Sequence, residues 1–424
     1  MHRRIARRLA GAAALGLALA AGLSPAVAGR LERPVGIAVL NDKSSVFADP
    51  GGVGSVWAAE LAIEDVGGKV GGHPVKLLGP DHQNKTDIGA SLAREMYDRE
   101  NIDALFDIGN SAISLAVNDI ARERGKIVVH TGSATADVFG KACAPTAAMW
   151  LYDTYSLAKG LARSVVDQGG KTWFFLTADY AFGHAMQAAV TKEVEAAGGK
   201  VLGAVRHPVG VMDYSSFLMQ AQASGANIVA FANASGDTVN SLKQAREFQV
   251  GYGDQKLGVL IFYLTSVHSL GPEALQGVQY LSGYYWDRDD ESRAFAKRYE
   301  AKSGGKKPDH NHAAVYSAVK HFLKAVEETG SLDGLTVMRK MKEMPLDDFY
   351  ARGAKIRPDG RLMNDMLLVE VKAPDEVRGE WDLVKIRQVV KADDIMRPLS
   401  EGGCKHLDPA PAADGDAGPA AEKK

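Results

Sequence analysis

The chain of 424 residues contains only two cysteines, Cys143 and Cys404, and no long apolar run beyond Leu23. The wide spacing of the cysteines excludes a CxxC redox or zinc motif. Because 50 lysines and arginines stand against 52 aspartates and glutamates, the chain lacks the basic character that nucleic-acid binding requires. Its one short apolar run is too short to span a membrane. These absences favour a water-soluble globular protein that binds no nucleic acid.

Catalytic, nucleotide-binding and metal-binding motifs are also missing. Gly52-Val53-Gly54 lacks the third glycine of a dinucleotide fingerprint, and Gly170-Lys171-Thr172 precedes a strand instead of opening a helix. His310 and His312 have i, i+2 spacing in a predicted loop, where solvated side chains are commoner than a metal site. No G-x-S-x-G nucleophile elbow occurs. We therefore expect no enzyme activity, no cofactor and no metal.

The first residues have the pattern of a secretory signal peptide. Four arginines lie between residues 3 and 8, an apolar stretch spans Leu9 to Leu23, and Ala26-Val27-Ala28 fits a small-residue cleavage site. We predict that residues 1–28 are removed by cleavage after Ala28 and that the mature protein is exported without a lipid anchor. Loss of the four arginines lowers the formal net charge from −2 to about −6.

Short apolar strands alternate with amphipathic helices in two successive runs that meet near residue 150. Strands are predicted at residues 35–40, 73–81, 102–108, 126–132, 171–179, 200–209, 227–233 and 258–264. Helices are predicted at residues 56–66, 88–100, 112–125, 151–170, 182–199, 215–225 and 238–250. Such alternation specifies parallel sheets that are covered by helices on both faces. The predicted fold class is therefore α/β, with two lobes that each contain a parallel sheet.

The alternation ends after Gly277. Residues 278–287 are predicted to return the chain to the first lobe, two helices follow, and an antiparallel strand pair is predicted at 362–372 and 380–386. The predicted domains are residues 33–148 with 283–355 for the first lobe, and 149–282 with 356–400 for the second. Residues 408–424 are rich in Ala, Pro, Gly and charge, and are predicted to be disordered.

The two cysteines are predicted to form one disulfide, because an exported protein folds in an oxidising compartment. Cys404 lies just past the last predicted strand, so the bridge would join the C-terminal region to the first lobe at Cys143. The alternative is two independent free thiols.

Small polar residues and aromatic rings follow the predicted strands, where ligands bind in open parallel sheets. In the first lobe, Ser111 and Ala112 follow one strand, and Ser133 and Thr135 follow the next. Their hydroxyls and free N–H groups suit a carboxylate at a helix N-terminus, although Ser111 is equally suited to be a simple N-cap. Aromatic residues such as Tyr180 follow strands of the second lobe. The sequence therefore predicts a cleft for a small amphipathic anion.

Several segments together resemble the type I periplasmic solute-binding proteins of ABC importers, in the leucine/isoleucine/valine-binding family. The resemblance extends from about residue 33 to 400 and rests on AAELAIEDVGGKVGGHPVKLL, DIGNSAISLAV, HTGSATADVF, ADYAFG and HAAVYSAVKHFLKAV, together with the signal peptide. It implies two Rossmann-like lobes that are joined by a hinge and close around a ligand.

The resemblance also implies which residues contact the ligand. It places a carboxylate loop at Ser111, a second loop at Ser133, and an aromatic wall from the second lobe. The full set of implied contacts is Ser111, Ala112, Ser133, Thr135, Trp150, Tyr152, Asp153, Tyr180, Phe182, Asn233, Tyr263 and Thr265. Alternatives are hinge packing for Trp150, a helix N-cap for Asp153, and core packing for the aromatic residues.

One departure from the family bears on the ligand. The resemblance implies an acidic residue between Tyr263 and Thr265 that binds the ammonium group of the ligand. This sequence has no acidic residue there. This disfavours an α-amino acid unless Asp153 or Asp179 replaces the missing acid, whereas an aromatic or aliphatic carboxylate needs no such partner.

The predicted function is a periplasmic receptor that binds a small carboxylate or a branched-chain-type amino acid. Its predicted partners are the permease and ATPase subunits of an importer in the inner membrane, and the receptor itself is predicted to be a monomer. Two alternatives remain open: a ligand-sensing protein for a signalling partner, and a secreted α/β enzyme.

Overall fold

The computed structural model describes residues 31–407, apart from the side chains of residues 163 and 164. The predicted signal peptide and the predicted disordered tail lie outside the described residues. The strands are β1 (Gly36–Leu40), β2 (Lys69–Val70), β3 (His73–Pro74), β4 (Lys76–Leu78), β5 (Ala104–Asp107), β6 (Ile127–His130), β7 (Ala147–Met149), β8 (Thr172–Ala178), β9 (Lys200–His207), β10 (Ile228–Ala232), β11 (Lys256–Val259), β12 (Gln279–Ser282), β13 (Lys355–Ile356), β14 (Leu362–Met363), β15 (Met366–Val371) and β16 (Val384–Val390).

The helices cover both parallel sheets. They are α1 (Gly52–Asp65), α2 (Thr86–Asp98), α3 (Ser111–Arg124), α4 (Thr154–Asp167), α5 (Ala181–Ala196), α6 (Ser215–Ala223), α7 (Gly236–Glu247), α8 (Leu264–Leu270), α9 (Pro272–Leu275), α10 (Asp290–Ser303), α11 (His310–Thr329), α12 (Gly334–Glu343) and α13 (Ala392–Ile395). Short 3-10 helices occupy Ala136–Phe139, Pro374–Glu376 and Leu399–Glu401.

Two parallel sheets organise the two lobes, as the alternating pattern predicted. The first sheet has the order β4-β1-β5-β6-β7, and the second has the order β11-β10-β8-β9. Strands β1, β5, β6 and β10 are buried along their whole length, because helices cover both faces of each sheet. The predicted α/β fold class with two Rossmann-like lobes is confirmed.

A third, antiparallel sheet has the order β12-β15-β16. It confirms the predicted late antiparallel pair and adds β12 as a third strand. Tyr280 of β12 and Val369 of β15 pack in the same apolar cluster as Phe231 of the second parallel sheet. The third sheet therefore extends the core of the second lobe, while the lobe boundaries given above stay a prediction.

The strand predicted at residues 258–264 is present as β11, but its predicted bounds are wrong because it ends at Val259. The strand β11 covers Lys256–Val259, and the following apolar residues, Leu260 to Tyr263, form a buried irregular segment that leads into α8. Apolarity alone cannot distinguish a buried strand from a buried irregular segment, because the side chains of both are buried. The correction moves Tyr263 from a strand to the start of a helix.

Arg361 stabilises the segment that connects β7 of the first sheet to α4. Its guanidinium donates hydrogen bonds to the carbonyl oxygens of Met149, at 3.3 Å, and Leu151, and it contacts the Met396 sulfur. Its Nε atom lies 3.4 Å from Oδ2 of Asp153, and both charged side chains are buried. The passage between the lobes therefore contains a buried ion pair.

The predicted disulfide is confirmed. Cys143 and Cys404 are bonded, with their Cα atoms 5.5 Å apart and a sequence separation of 261. Cys143 follows the short helix Ala136–Phe139, so the bridge fixes the end of the described chain to the first lobe.

Candidate functional site

A small cavity lies beyond the carboxyl ends of the strands of the first sheet. Its volume is about 10 Å³, which is enough for about one water molecule. Residues that follow β1, β5 and β6 line it together with Tyr263 of the second lobe. The full lining is Asn41, Asp42, Phe47, Pro50, Gly51, Asp107, Gly109, Gly132, Tyr263 and Asn311. Among the predicted contact residues, all of which are described, Tyr263 lines this cavity and the others do not.

Asp107 places a fully buried carboxylate at the cavity. Its Oδ2 accepts a hydrogen bond from Asn41 Nδ2 at 2.8 Å, and its Oδ1 accepts from Asn311 Nδ2 at 3.0 Å and Thr131 Oγ1 at 3.3 Å. Asp107 and Ile108 both have positive φ values, 78° and 60°, which are costly for residues other than glycine. Such strain concentrates at functional sites, where the surrounding structure holds it in place.

The loop between β1 and α1 covers the cavity. The Asp42 carboxylate accepts hydrogen bonds from the backbone N–H groups of Ser44, Ser45 and Phe47, and this fixes the loop shape. Val46, which lies between Ser45 and Phe47 in this loop, contacts the second lobe. Its carbonyl oxygen accepts the N–H of Gly236, the first residue of α7, at 3.1 Å. The two lobes are therefore in contact over the cavity.

A hydrogen-bonded group of rings lies behind the cavity. The Tyr152 hydroxyl donates to the Tyr263 hydroxyl at 3.2 Å, and it also hydrogen-bonds with His310 Nε2 at 3.1 Å. Burial lowers the pKa of His310 and favours its neutral form. Tyr152 is thus placed behind Tyr263 instead of in the cavity lining.

The start of α3 differs from the N-cap interpretation of Ser111. Asn110, and not Ser111, is the N-cap, and its Oδ1 accepts the N–H of Ala112 at 2.8 Å and of Ile113 at 3.2 Å. The predicted free N–H of Ala112 is therefore already bonded. Ser111 and Ser133 come together as predicted for neighbouring strand ends, with their hydroxyl oxygens 3.4 Å apart.

Three other predicted contacts form hydrogen bonds within the protein. Thr135 accepts the N–H of Asp137 at 3.4 Å and so caps a short helix. The Thr265 N–H donates to Asp309 Oδ2 at 3.2 Å. Asn233 is buried and hydrogen-bonds to three side chains of its own lobe, which are His207, Thr238 and Ser241.

The predicted aromatic contacts Trp150, Tyr180 and Phe182 pack against other side chains of the protein. Trp150 is buried, and its Nε1 donates to Ser317 Oγ at 3.2 Å, as expected for hinge packing. Phe182 is buried beside Tyr180, with ring centroids 5.9 Å apart. Tyr180 also faces Phe47 of the covering loop at 6.5 Å, so it contacts the loop at the edge of the cleft.

Asp153 and Asp179, the two candidates to replace the missing acidic residue, bind other groups of the protein. Asp153 Oδ1 caps α4 by accepting the N–H groups of Tyr155 and Ser156, and its other oxygen faces Arg361. Asp179 is exposed and pairs with a neighbouring histidine at 2.7 Å. Neither carboxylate lines the cavity.

Sequence reasoning missed Asn41, Asp107 and Asn311 as site residues. Asp107 ends a predicted strand, which was the available signal, whereas Asn311 lies in the Asp-His-Asn-His run that was considered only for metal binding. In that run His312 accepts the N–H of Asp309 and hydrogen-bonds with the Gly51 carbonyl. Within residues 31–407, no group of three or more His, Cys, Asp or Glu side chains is placed to hold a metal ion.

Two buried histidines near the first sheet, His82 and His130, are expected to make the folded protein less stable at acid pH. Burial lowers the pKa of His82 to about 4, against the opposing effect of nearby carboxylates, and lowers that of His130 to about 3. Because the unfolded chain takes up these protons near pH 6.5, stability is present above that pH and is lost as the pH falls. We expect each histidine to lower the free energy of unfolding by about 2 kcal/mol between pH 7.5 and pH 5.

Urea unfolding at the two pH values measures this effect. His82→Gln and His130→Gln should each flatten the pH dependence, whereas His184→Gln, at an exposed position, should leave it unchanged. An unaltered pH dependence in both buried variants would contradict the assignment.

The comparisons with known proteins agree with this architecture. The profile of the family described as "Periplasmic binding protein" matches residues 34–376. A periplasmic binding protein from Burkholderia mallei is 44% identical, with a TM-score of 0.85, and the match covers 88% of this chain and 98% of that one. A branched chain amino acid ABC transporter periplasmic ligand-binding protein from Burkholderia xenovorans LB400 is 42% identical, with a TM-score of 0.78, and the match covers 88% and 100%.

A curated relative is more distant. The Leu/Ile/Val-binding protein homolog 6 of Brucella abortus (strain 2308) is 25% identical over 339 residues, which cover 77% of this chain and 80% of that protein. The family and these relatives are binding proteins and not enzymes. None of the helices within residues 31–407 has both the length and the apolarity to cross a membrane. The chain belongs to the periplasmic binding protein family and is of the type that serves ABC transporters, as the resemblance to the leucine/isoleucine/valine-binding proteins predicted.

Proposed function

We propose that this chain is the periplasmic receptor of an ABC importer and binds a small amphipathic carboxylate or a branched-chain-type amino acid between its lobes. The loaded receptor, a monomer, then docks on the permease and ATPase subunits of the importer. The name of the 42% identical relative, a branched chain amino acid ABC transporter periplasmic ligand-binding protein, supports this assignment.

The observation that carries the proposal is the cavity that both lobes line. Asp107 and Asn311 approach it from the first lobe, and Tyr263 approaches it from the second. Because the cavity holds about one water molecule, a complete ligand enters only when the lobes separate or the covering loop moves. Closure then removes water and strengthens the hydrogen bonds to the ligand.

A thermal-shift screen of the mature protein tests the proposal. The panel contains leucine, isoleucine and valine together with aliphatic and aromatic carboxylates. A ligand at a hundred times its dissociation constant adds about 2.7 kcal/mol of stability, which gives a clear increase in Tm. The proposal fails if no member of the panel raises the Tm.

A variant pair then assigns the binding to the cleft. Tyr263→Ala removes a side chain of the cavity lining and should weaken binding at least about 10-fold. Tyr252→Ala removes an exposed ring in the same lobe and should bind as the parent does. Equal binding by both variants would place the ligand outside this cleft.

A further inference from the structure

The covering loop between β1 and α1 is attached to the start of α7 through one atom, the carbonyl oxygen of Val46. This oxygen accepts two hydrogen bonds, one from the N–H of Gly236 at 3.1 Å and one from the hydroxyl of Ser235. Both donors follow β10 of the second sheet, whereas Val46 follows β1 of the first sheet. The two hydrogen bonds therefore connect the lobes, and they break when the cleft opens.

The covering loop approaches α7 closely because residue 236 is a glycine. A Cβ atom at Gly236 would lie 3.3 Å from the carbonyl oxygen of Val46 and 3.4 Å from its Cβ atom, which is closer than an ordinary van der Waals contact. Gly210, in the loop after β9, also adjoins this residue, since a Cβ atom there would lie 3.7 Å from Val46 Cγ1. Val46 thus occupies a space that the second lobe keeps open with two glycines.

Ser235 is the N-cap residue of α7, but it does not cap the helix. A serine at this position usually accepts a backbone N–H from the first turn. Within residues 31–407 the Ser235 side chain makes no capping hydrogen bond, and its hydroxyl donates to the Val46 carbonyl instead. The helix therefore begins without its usual cap, and the serine stabilises the contact between the lobes.

The backbone of Ser235 is also held in an unfavourable conformation. Its φ and ψ values are 54° and −125°, which favour glycine and are costly for serine. An ordinary N-cap residue has extended backbone. Separation of the lobes removes the Val46 acceptor, so Ser235 can then return to extended backbone and cap α7. The residue therefore has two alternative arrangements, one for the closed cleft and one for the open cleft.

We propose that Val46, Ser235 and Gly236 form a latch that holds the covering loop over the cavity and must release before a ligand enters or leaves. This inference rests on the proposed function and names the contact that controls opening. The two hydrogen bonds to Val46 favour the closed form, whereas the backbone strain and the missing helix cap oppose it. The closed form is therefore favoured by less than the two hydrogen bonds alone would provide.

Hydrogen exchange of the Gly236 amide tests the latch in the ligand-free mature protein. Because the first N–H of a helix has no acceptor inside the helix, its protection reports the bond to Val46. With selective 15N labelling of glycine, Ser235→Ala should accelerate this exchange about 3- to 10-fold, as the loss of one hydrogen bond implies. Equal exchange in the parent and in Ser235→Ala overturns the inference.

Ser224→Ala is the matched control. It removes a serine hydroxyl that donates to a backbone carbonyl, that of Ala221, at the end of α6 in the same lobe. Exchange at Gly236 should not change in this variant. An equal acceleration in both serine variants would mean that the second lobe is loosened in general, and the latch would then be refuted.

A glycine at position 235 separates the backbone strain from the hydrogen bond. Ser235→Gly also lacks the hydroxyl, but glycine adopts a positive φ without the steric cost. The Gly236 amide should therefore exchange more slowly in Ser235→Gly than in Ser235→Ala. Equal or faster exchange in Ser235→Gly would show that strain does not oppose the closed form, and the two alternative arrangements of Ser235 would be wrong.

A cross-link across the latch tests whether it controls access to the cavity. The 3.4 Å between the two Cβ positions is close to the distance of about 3.5–4.5 Å in disulfides, so Val46→Cys combined with Gly236→Cys should form a bridge. The oxidised variant should bind no member of the thermal-shift panel that the parent binds, and dithiothreitol should restore binding. The parent in dithiothreitol is the control for reduction of the native disulfide.

The outcomes separate the latch from the receptor function. Full binding by the cross-linked protein, or failure of the bridge to form, overturns the latch and leaves the receptor function intact. If the parent binds no member of the panel, the proposed function fails, and the exchange rates of the Gly236 amide still decide whether the latch exists.

Discussion

Reduction of the bridge between Cys143 and Cys404 is expected to lower the free energy of unfolding by about 3–5 kcal/mol. The bond connects residues that are 261 apart in sequence, and a long closed loop strongly restricts the unfolded chain. The loss is large compared with a total stability of about 5–15 kcal/mol for a typical domain. Urea unfolding of the oxidised protein and of the reduced, alkylated protein measures it directly.

The double variant Cys143→Ser, Cys404→Ser provides the control for alkylation. It should match the reduced protein and should no longer respond to dithiothreitol. A stability difference below about 1 kcal/mol between the bridged and unbridged forms contradicts the expectation. Ligand binding should survive in both forms at low temperature, because neither cysteine lines the cavity.

Replacement of Arg361 by glutamine is expected to destabilise the protein by about 3–5 kcal/mol. The substitution leaves the Asp153 carboxylate buried without a cation, and it removes the hydrogen bonds to the carbonyl oxygens of Met149 and Leu151. Breaking one partner of a buried pair is costly because the remaining charge has lost its compensation. Arg352→Gln, where the arginine is exposed and pairs with surface carboxylates, should cost less than about 1 kcal/mol.

A double-mutant cycle separates the ion pair from the other contacts of Arg361. Asp153→Asn retains the Oδ1 atom that caps α4 but removes the charge. The combined variant should be more stable than the sum of the two single effects predicts, with a coupling of about 1 kcal/mol or more. Strictly additive effects would mean that the two charges do not stabilise each other.

The fold could be predicted from periodicity because its core is regular. Strands such as β1 and β10 are short apolar runs, and the helices between them have one apolar face, so the α/β class follows from local pattern. The strand prediction fails at residues 260–263 because the backbone there is not regular. These residues are buried and apolar as a core strand would be, but their backbone is irregular, and the sequence contains no signal that distinguishes the two.

The candidate site could be predicted only in outline. The ends of the first-sheet strands were expected to bind a ligand, and Asp107 and Gly109 lie there. The residues that complete the cavity come from a loop after β1 and from the start of α11, which are separated by more than 200 residues of chain. Whether an asparagine such as Asn110 caps a helix or Asn311 faces a cavity depends on tertiary neighbours, which local sequence does not specify.

The bond between Cys143 and Cys404 also makes most of the protein a closed covalent ring. Both the second and third sheets lie within that ring. A protease that cuts the backbone once between these cysteines therefore releases no fragment, and two cuts are needed to detach any part of the second lobe. A single nick between Cys143 and Cys404 therefore leaves the chain in one covalent piece, whereas the covering loop between β1 and α1 lies outside the ring and lacks this protection.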